Sequence, residues 1–329
     1  MQACNTADRD PPPVTVVVRS FNRPAALNGL LAALLRQDYP AFEIVVVEQS
    51  TDMPRAETEA LERHAADPRL RVLRFPPLGG ARARNAGVAA ARGDIVVFID
   101  DDDLPIGDRW IDAHVANYGD PNCLGVTGRH VRQPGEAAPY GRFTGLAYRR
   151  CQSFSRLLRL PFTYARIDSR KAPIDYLHGT NGSVRRTAVG RFGGWDEDTR
   201  IEDEASFGFR AQRGMRPEEY FVFDPEPVVL RGTDVRGGLD KRFMSVGEHY
   251  ERFLDFIVTI VGRYHRPRVT ALFPLYVLAA FAFTLSWLWD DSHAHQDTAS
   301  RVAAAVGLLL TLPYRAVRCT LRRARSMRA

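Results

Sequence analysis

Short apolar runs dominate the first hundred residues, and they restrict the fold more than any other feature. Residues 14–19, 42–48, 70–75 and 94–100 are each six or seven residues long and mostly apolar, and the first is almost wholly a run of β-branched side chains. Runs of this kind read as strands buried on both faces. Between the first two, Leu27, Leu30, Leu31, Leu34 and Leu35 recur at helical spacing and form one apolar stripe. Residues 54–67 read as an exposed helix and residues 80–92 as an Ala-rich one. Strands alternating with helices predict an α/β fold: a parallel sheet, right-handed in its crossovers, with helices on both faces. Ligands of such sheets bind outside the carboxyl ends of the strands. Ser20-Phe21-Asn22-Arg23 follow the first strand, Glu48 closes the second, and Asp100 to Asp103 end the fourth.

Four adjacent carboxylates repel one another and gain nothing from packing. A divalent cation makes such a cluster tolerable at a ligand-binding edge, and oxygen-only ligands favour Mg²⁺ or Mn²⁺ over Zn²⁺. The alternative is a solvated acidic loop ahead of the next helix, residues 107–118. The position of the run, directly after a buried strand in a βαβ series, favours the binding role.

Taken in order, VTVVVRSFNRP, IVVVEQSTD, ARARNAG, FIDDDD, GTNGSVRR…GGWDED and EDEASFGFRAQRG resemble the successive motifs of family-2-type glycosyltransferases. The resemblance covers roughly residues 14 to 232. It implies the GT-A nucleotide-sugar-binding fold, a nucleotide-diphospho-sugar donor, a divalent cation and inversion at the anomeric carbon. Ser20, Asn22 and Arg23 then form the floor for base and ribose, and Glu48 stands where the family has an Asp that bonds the base. Arg84 and Asn85 match the Arg-Asn that closes over the nucleotide. Asp100 and Asp102 match the outer residues of the Asp-X-Asp motif, Asp100 near the ribose and Asp102 at the metal, with Asp101 or Asp103 behind them. The register within the four remains open by one residue.

The acceptor side is expected from Gly179, Asn181, Trp195, Asp196 and Glu202. Gly179 and Gly182 would let the backbone approach a sugar closely, and Trp195 would stack on its ring. Glu202-Asp203 matches the family's Glu-Asp pair, whose Asp is the general base. In an inverting transfer one positioned base is sufficient, provided a metal stabilises the departing nucleoside diphosphate. Read without the resemblance, Glu202, Asp203 and Glu204 are first-turn acids of a helix. Arg231 falls near a family His that aids the metal or diphosphate. It could pair with the diphosphate but not ligate metal, and His178 and His249 are the substitutes to consider.

The chain has 329 residues, 45% of them apolar, enough for one large core or two modest ones. Its four cysteines are scattered, which suits a reduced, cytosolic setting. Residues 1–13 have no apolar core of a secretory signal and read as a disordered lead. The six arginines of the last fifteen residues account for the whole net charge of +6. A second basic stretch, Tyr148 to Lys171, lies within a segment, Tyr140 to Lys171, that matches no motif, and with no nucleic-acid-binding motif either, nucleic acid is not an expected partner.

Residues 14–240 are expected to form the catalytic domain and 241–268 a helical connection. Residues 269–329 are expected to form a membrane-associated helical hairpin with a basic tail. Residues 269–289 carry no charge over 21 positions, about 32 Å as a helix, enough to cross a bilayer. Two interfacial helices on anionic lipid, or a buried pair, are the alternatives. The functional expectation is a transferase on the cytoplasmic face of the cell membrane, in cell-envelope or extracellular polysaccharide synthesis. Its acceptor would be a hydroxyl of a glycan or polyprenyl-linked saccharide. A polyprenyl-phosphate glycosyltransferase and a non-catalytic nucleotide-sugar-binding subunit are the competing readings.

Overall fold

A computed structural model of the chain describes residues 10–131, 152–162, 170–198, 203–232, 245–288 and 298–326. The chain divides into two compact units. The first comprises residues 1–153, 162–196 and 207–238, and the second residues 154–161, 197–206 and 239–329.

The first unit is built on a nine-stranded sheet among the described residues. Strands β1 (Val14–Ser20), β2 (Phe42–Glu48), β3 (Leu70–Arg74) and β4 (Ile95–Asp100) lie in the order β3-β2-β1-β4, all parallel, as the apolar runs predict. Beyond β4 the sheet is mixed. Strand β10 (Gly182–Arg185) runs antiparallel to both β4 and β6 (Cys123–Val131), and β6 is parallel to β11 (Tyr220–Arg231). The short β5 (Asp103–Pro105) pairs antiparallel with the end of β11, placing Asp103 opposite Arg231, and the ninth strand, β9 (Ala172–Ile174), pairs antiparallel with the start of β11. Strands β7 (Ser153–Phe154) and β8 (Pro161–Phe162) form a separate pair, and α2 (Arg55–Ala65), α4 (Trp110–Val115) and α5 (Arg186–Phe192) are further short helices of the first unit. The four parallel strands therefore form a half-sheet of the kind foreseen, joined through an antiparallel strand to a second half.

Helix α1 (Pro24–Leu34) buries Leu27, Leu30, Leu31 and Leu34 on one sheet face, against Val16, Val18, Ile44, Val46, Val97 and Ile99. Helix α3 (Gly80–Ala90) covers the other face, where Val17, Val96 and Phe98 pack with Trp195 and Phe207. Its small residues allow a close approach: a Cβ at Gly87 would lie 2.3 Å from Val17 Cγ1. The prolines at the entrance to β1 are held, Pro12 by the Tyr39 hydroxyl at 2.7 Å and Pro13 by the Asp94 amide at 2.8 Å. Residues 1–9 of the expected lead lie outside the described residues.

In the second unit, the segment expected as a connection is part of the helical cluster. Ser245 and Glu248 cap helix α7 (Val246–Phe256) reciprocally. Phe253 of this helix stacks on Phe283 at 4.3 Å, and Glu251 pairs with Arg315 at 2.7 Å. The charge-free stretch 269–289 is not one helix. It breaks at Leu272 (φ −110°, ψ 19°) between α8 (Gly262–Ala271) and α9 (Phe273–Leu288), across a bend of 116°. Pro274 explains the break, since it has no amide to donate to the Thr270 carbonyl and its ring would clash with that carbonyl, while proline suits the first turn of a new helix. Among the described residues no single helix is long and apolar enough to cross a membrane. The last helix, α10, spans Thr298–Ser326.

The Gly87–Val17 approach gives a direct test of the packing. Gly87→Val should lower the unfolding free energy by about 1–3 kcal/mol through overpacking, read by urea denaturation, whereas Gly29→Ala, at a site with open space, should leave it unchanged or raised.

Candidate active site

The parallel register of β1 and β4 sets Arg19 beside Asp100. Arg19 donates from Nε at 3.0 Å and from Nη2 at 2.5 Å to the same Asp100 oxygen. Burial alone would raise the Asp100 carboxyl, but Arg19, with Arg84 and Arg23 behind it, holds it below the usual carboxylate range. The next residue points the other way. Asp101 accepts from the Ser20 hydroxyl at 2.8 Å and from the Phe21 amide at 3.2 Å, and Arg23 stands 2.8 Å from its second oxygen. Arg23 also pairs with Asp102.

Asp103, in β5, accepts from Thr180 Oγ1 at 2.7 Å, while the same Thr180 hydroxyl receives the Asp100 amide at 3.0 Å. Burial pushes both Asp101 and Asp103 up to about 7, against the opposing pull of Arg23 on the first and Arg231 on the second. Asp102 is raised too, by burial before any other cause.

Four acids thus meet the charges of four arginines drawn from β1, the start of α1, α3 and the end of β11. The arginines already offset much of the repulsion that the sequence suggested a cation must offset. Asp101 is sealed in, while the Asp100 and Asp102 side chains keep 24% and 20% exposure and are the two open to a ligand.

No three His, Cys, Asp or Glu side chains converge as a metal cage among the described residues. A hard cation is commonly held by one or two carboxylates and completed by phosphate oxygens and water. Asp102, partly exposed and raised by burial, fits that mode of binding.

The loops after β1 and β2 are laced together. Asn22, at a left-handed φ of 54°, donates its amide to Ser50 Oγ at 2.8 Å and accepts the Thr51 amide on its side-chain oxygen at 2.9 Å. Glu48 is buried and accepts the Ser50 amide at 2.7 Å, with Arg74 3.8 Å from its other oxygen. Ser20, Asn22, Arg23 and Glu48 are therefore brought to one edge, as expected, each with a protein partner.

Arg84 is fully buried. Its guanidinium lies 5.1 Å from the Trp195 ring centroid and 5.8 Å from that of Phe98, and it donates to the Gly179 carbonyl at 3.3 Å. Asn85 clamps the Trp195 backbone, donating to its carbonyl and accepting from its amide, both at 2.9 Å. Trp195 itself is 4% exposed and stacks on Phe207 at 4.9 Å. The ring expected to stack on a sugar is a core side chain.

Asn181 is likewise structural. At φ 50° its oxygen accepts from Trp110 Nε1 at 2.8 Å and lies 3.1 Å from His114 Nε2, and its amide donates to the carbonyls of Arg129 and Pro227. Asp196 pairs with Arg210. His178 is pushed down to about 4, first by burial and then by Arg231, so its ring is neutral at neutral pH. His249 belongs to the second unit, where it stacks on Phe283 and bonds Thr284.

Asp203 opens helix α6 (Asp203–Gly214), and its carbonyl accepts from Ser206 Oγ at 2.8 Å. Glu202 lies outside the described residues, as do residues 140–151 and 163–169 of the unassigned segment. Arg19 and Thr180 escaped the sequence reading as site residues. The signal for Arg19 was available, as a lone cation ending an otherwise apolar strand.

Residues 15–193, more than half of the chain, match the profile described as glycosyl transferase family 2. The chain belongs to that family. It is 28% identical over 214 residues to the O-antigen biosynthesis protein RfbC of Myxococcus xanthus, a match covering 63% of this chain and 16% of RfbC. It is 35% identical over 99 residues to the succinoglycan biosynthesis protein ExoO of Rhizobium meliloti, covering 30% of this chain and 28% of ExoO. The chain thus spans less than a third of these curated relatives.

Among solved structures, the mannosyltransferase PcManGT of Pyrobaculum calidifontis, in complex with GDP-Man and Mn²⁺, is similar with a TM-score of 0.54 at 21% identity. That likeness covers 94% of this chain and 84% of that one. TarS 1–349 of S. aureus, in complex with UDP-GlcNAc, gives a TM-score of 0.55 at 16% identity over 93% and 89% of the two chains. At these identities the likeness establishes the GT-A fold.

The elevated carboxyls make stability depend on pH in a definite direction. Asp103 keeps its proton in the folded chain up to about pH 7 but releases it near its ordinary value when unfolded. Its stabilising contribution is therefore present in acid and lost as pH rises through about 7. Between about pH 5 and about pH 8, Tm should fall more steeply for the wild type than for Asp103→Asn, measured by calorimetry.

Proposed function

We propose that this family member is an inverting glycosyltransferase. It would move a sugar from a nucleotide-diphospho-sugar to a hydroxyl of a glycan or lipid-linked saccharide, in the synthesis of a surface polysaccharide. The observation that carries the reading is the set of strand-end residues, Arg19, Ser20, Arg23, Asp100, Asp102 and Arg231, gathered within a family 2 chain at the edge where such sheets bind ligands. GDP-Man in PcManGT and UDP-GlcNAc in TarS support a nucleoside diphosphate leaving group. RfbC and ExoO support a polysaccharide acceptor.

In this mechanism Asp100 orients the ribose while Arg19 fixes the carboxylate, so that the Asp-X-Asp pair keeps one rotamer. Asp102 would hold a Mg²⁺ or Mn²⁺ ion, which when bound would stabilise the negative charge that develops on the leaving diphosphate. Arg231, whose charge already reaches Asp102 and Asp103, adds a guanidinium to the same leaving group. Asp203 takes the proton from the acceptor hydroxyl as the oxygen attacks C1 from the face opposite the diphosphate. The C1–O bond to the diphosphate breaks as the new glycosidic bond forms, and the configuration at C1 inverts. Glu202 assists in placing the acceptor.

The test is release of nucleoside diphosphate by the purified full chain across UDP-, GDP- and dTDP-sugars, with Mn²⁺, Mg²⁺ or EDTA. One donor should turn over, and EDTA and Asp102→Ala should each abolish turnover. Asp203→Asn should lower kcat on the order of 10²-fold or more. Donor binding without release in the presence of membrane lipid extract would refute the enzymatic reading. A nearly unchanged rate in Asp203→Asn would instead make the acceptor a phosphate, which needs little help from a base.

A further inference from the structure

Among its described side chains, helix α10 has two apolar faces, one of which packs inside the protein. Leu308, Leu312 and Ala316 are buried. Val302, Val306, Leu309, Leu310 and Tyr314 are exposed, Leu310 at 77%, Leu309 at 53% and Val306 at 49%. Their spacing of three and four residues puts them on a single stripe. A surface helix of an ordinary soluble domain carries charge on this side. Here no charged residue intervenes between Arg301 and Arg315, and no acid occurs anywhere from residue 298 to residue 329.

Directly after the stripe the same helix runs into Arg315, Arg318, Arg322, Arg323 and Arg325. Arg315 is engaged by Glu251, while Arg318 is exposed. Tyr314 stands at the junction, an aromatic with a polar tip where apolar surface gives way to cations, as at membrane interfaces. The neighbouring helix α9 also presents Leu275, Leu278 and Phe283.

Length decides how such a helix meets a bilayer. The uncharged segment from Val302 to Tyr314 covers about 20 Å as a helix, and α9 about 24 Å, against the roughly 30 Å of a hydrocarbon core. An outward apolar stripe, a dense run of arginines and too short an uncharged segment describe a helix lying in the interface. The absence of acids sets the sign of the lipid: anionic headgroups attract such a segment within a Debye length of the surface.

We propose that the outward stripe of α10, with the arginines that follow it, is a monotopic anchor lying in the plane of a bilayer that contains anionic lipid. This goes beyond the catalytic reading and stands independently of it, since it rests on the second unit alone.

The experiment is co-flotation of the purified full chain with phosphatidylcholine vesicles, with and without phosphatidylglycerol, at low and high ionic strength. Binding is expected only with phosphatidylglycerol, and it should weaken with salt. Reversing Arg318 and Arg322 together to Glu should weaken it by roughly fivefold or more per residue. Leu309→Glu with Leu310→Glu should remove it. Both positions are exposed, so the thermal melt of that variant should match the wild type and separate loss of anchoring from loss of fold. Vesicle-bound protein should be released by alkaline carbonate.

Failure to float, equal binding to neutral vesicles, or retention after carbonate would overturn the proposal, the last in favour of a spanning segment. So would a dimer in light scattering that Leu310→Glu dissociates without changing flotation, because the stripe would then belong to a second copy of the chain.

Discussion

Everything at the ligand edge of the sheet depends on balancing Asp100 to Asp103. Three of these carboxyls are raised by burial, and none could be withdrawn from water without a compensating charge or hydrogen bond. The compensation is distributed along the chain. Arg19 ends the first strand, Arg23 precedes the first helix, Arg84 lies in α3 and Arg231 ends the last strand of the sheet. Charges separated by more than two hundred residues in sequence are thereby satisfied only when β1, β4, β5 and β11 are all in register. The cluster acts as a long-range specification of the fold as well as a place for chemistry.

Behind this layer, polar groups that might have faced a ligand are consumed by the scaffold. Asn181 ties Trp110, His114, Arg129 and Pro227 together. Thr180 joins the Asp100 amide to the Asp103 carboxyl. Arg84 packs against the rings of both Phe98 and Trp195, themselves in edge contact at 5.1 Å. Networks satisfied to this degree hold exposed groups in fixed geometry, which a site built to favour one charge distribution requires.

The division between what sequence discloses and what it hides follows the range of the forces involved. The four parallel strands were legible because a strand buried on both faces leaves a local, apolar trace, and the leucine stripe of α1 is equally local. The Asp run at the strand edge was legible for the same reason. The Arg19–Asp100 pair was not, because it depends on the register between β1 and β4, 81 residues apart. Trp195 was misread because its motif says nothing about the Phe207 ring that covers it. Asn181, in a Gly-rich turn, looked like a sugar contact, whereas its left-handed backbone and four partners arise only from the folded second half of the sheet. At the carboxyl end, hydropathy registered an unbroken charge-free stretch, while the proline at 274 broke the helix just before it. Within the expected connection, the described residues 245–268 pack into the helical cluster through aromatic stacking that no local pattern announces.

One close approach links the two halves of the sheet at the site itself. The Gly232 amide donates to the Asp102 carbonyl at 2.7 Å, and a Cβ at position 232 would lie only 2.1 Å from that oxygen. No side chain intervenes between the end of β11 and the backbone of Asp102. A side chain at 232 would therefore push directly on the peptide that carries the Asp102 carboxylate. The backbone that positions this carboxylate is thus in contact with a residue 130 positions further along the chain, where only glycine leaves it room.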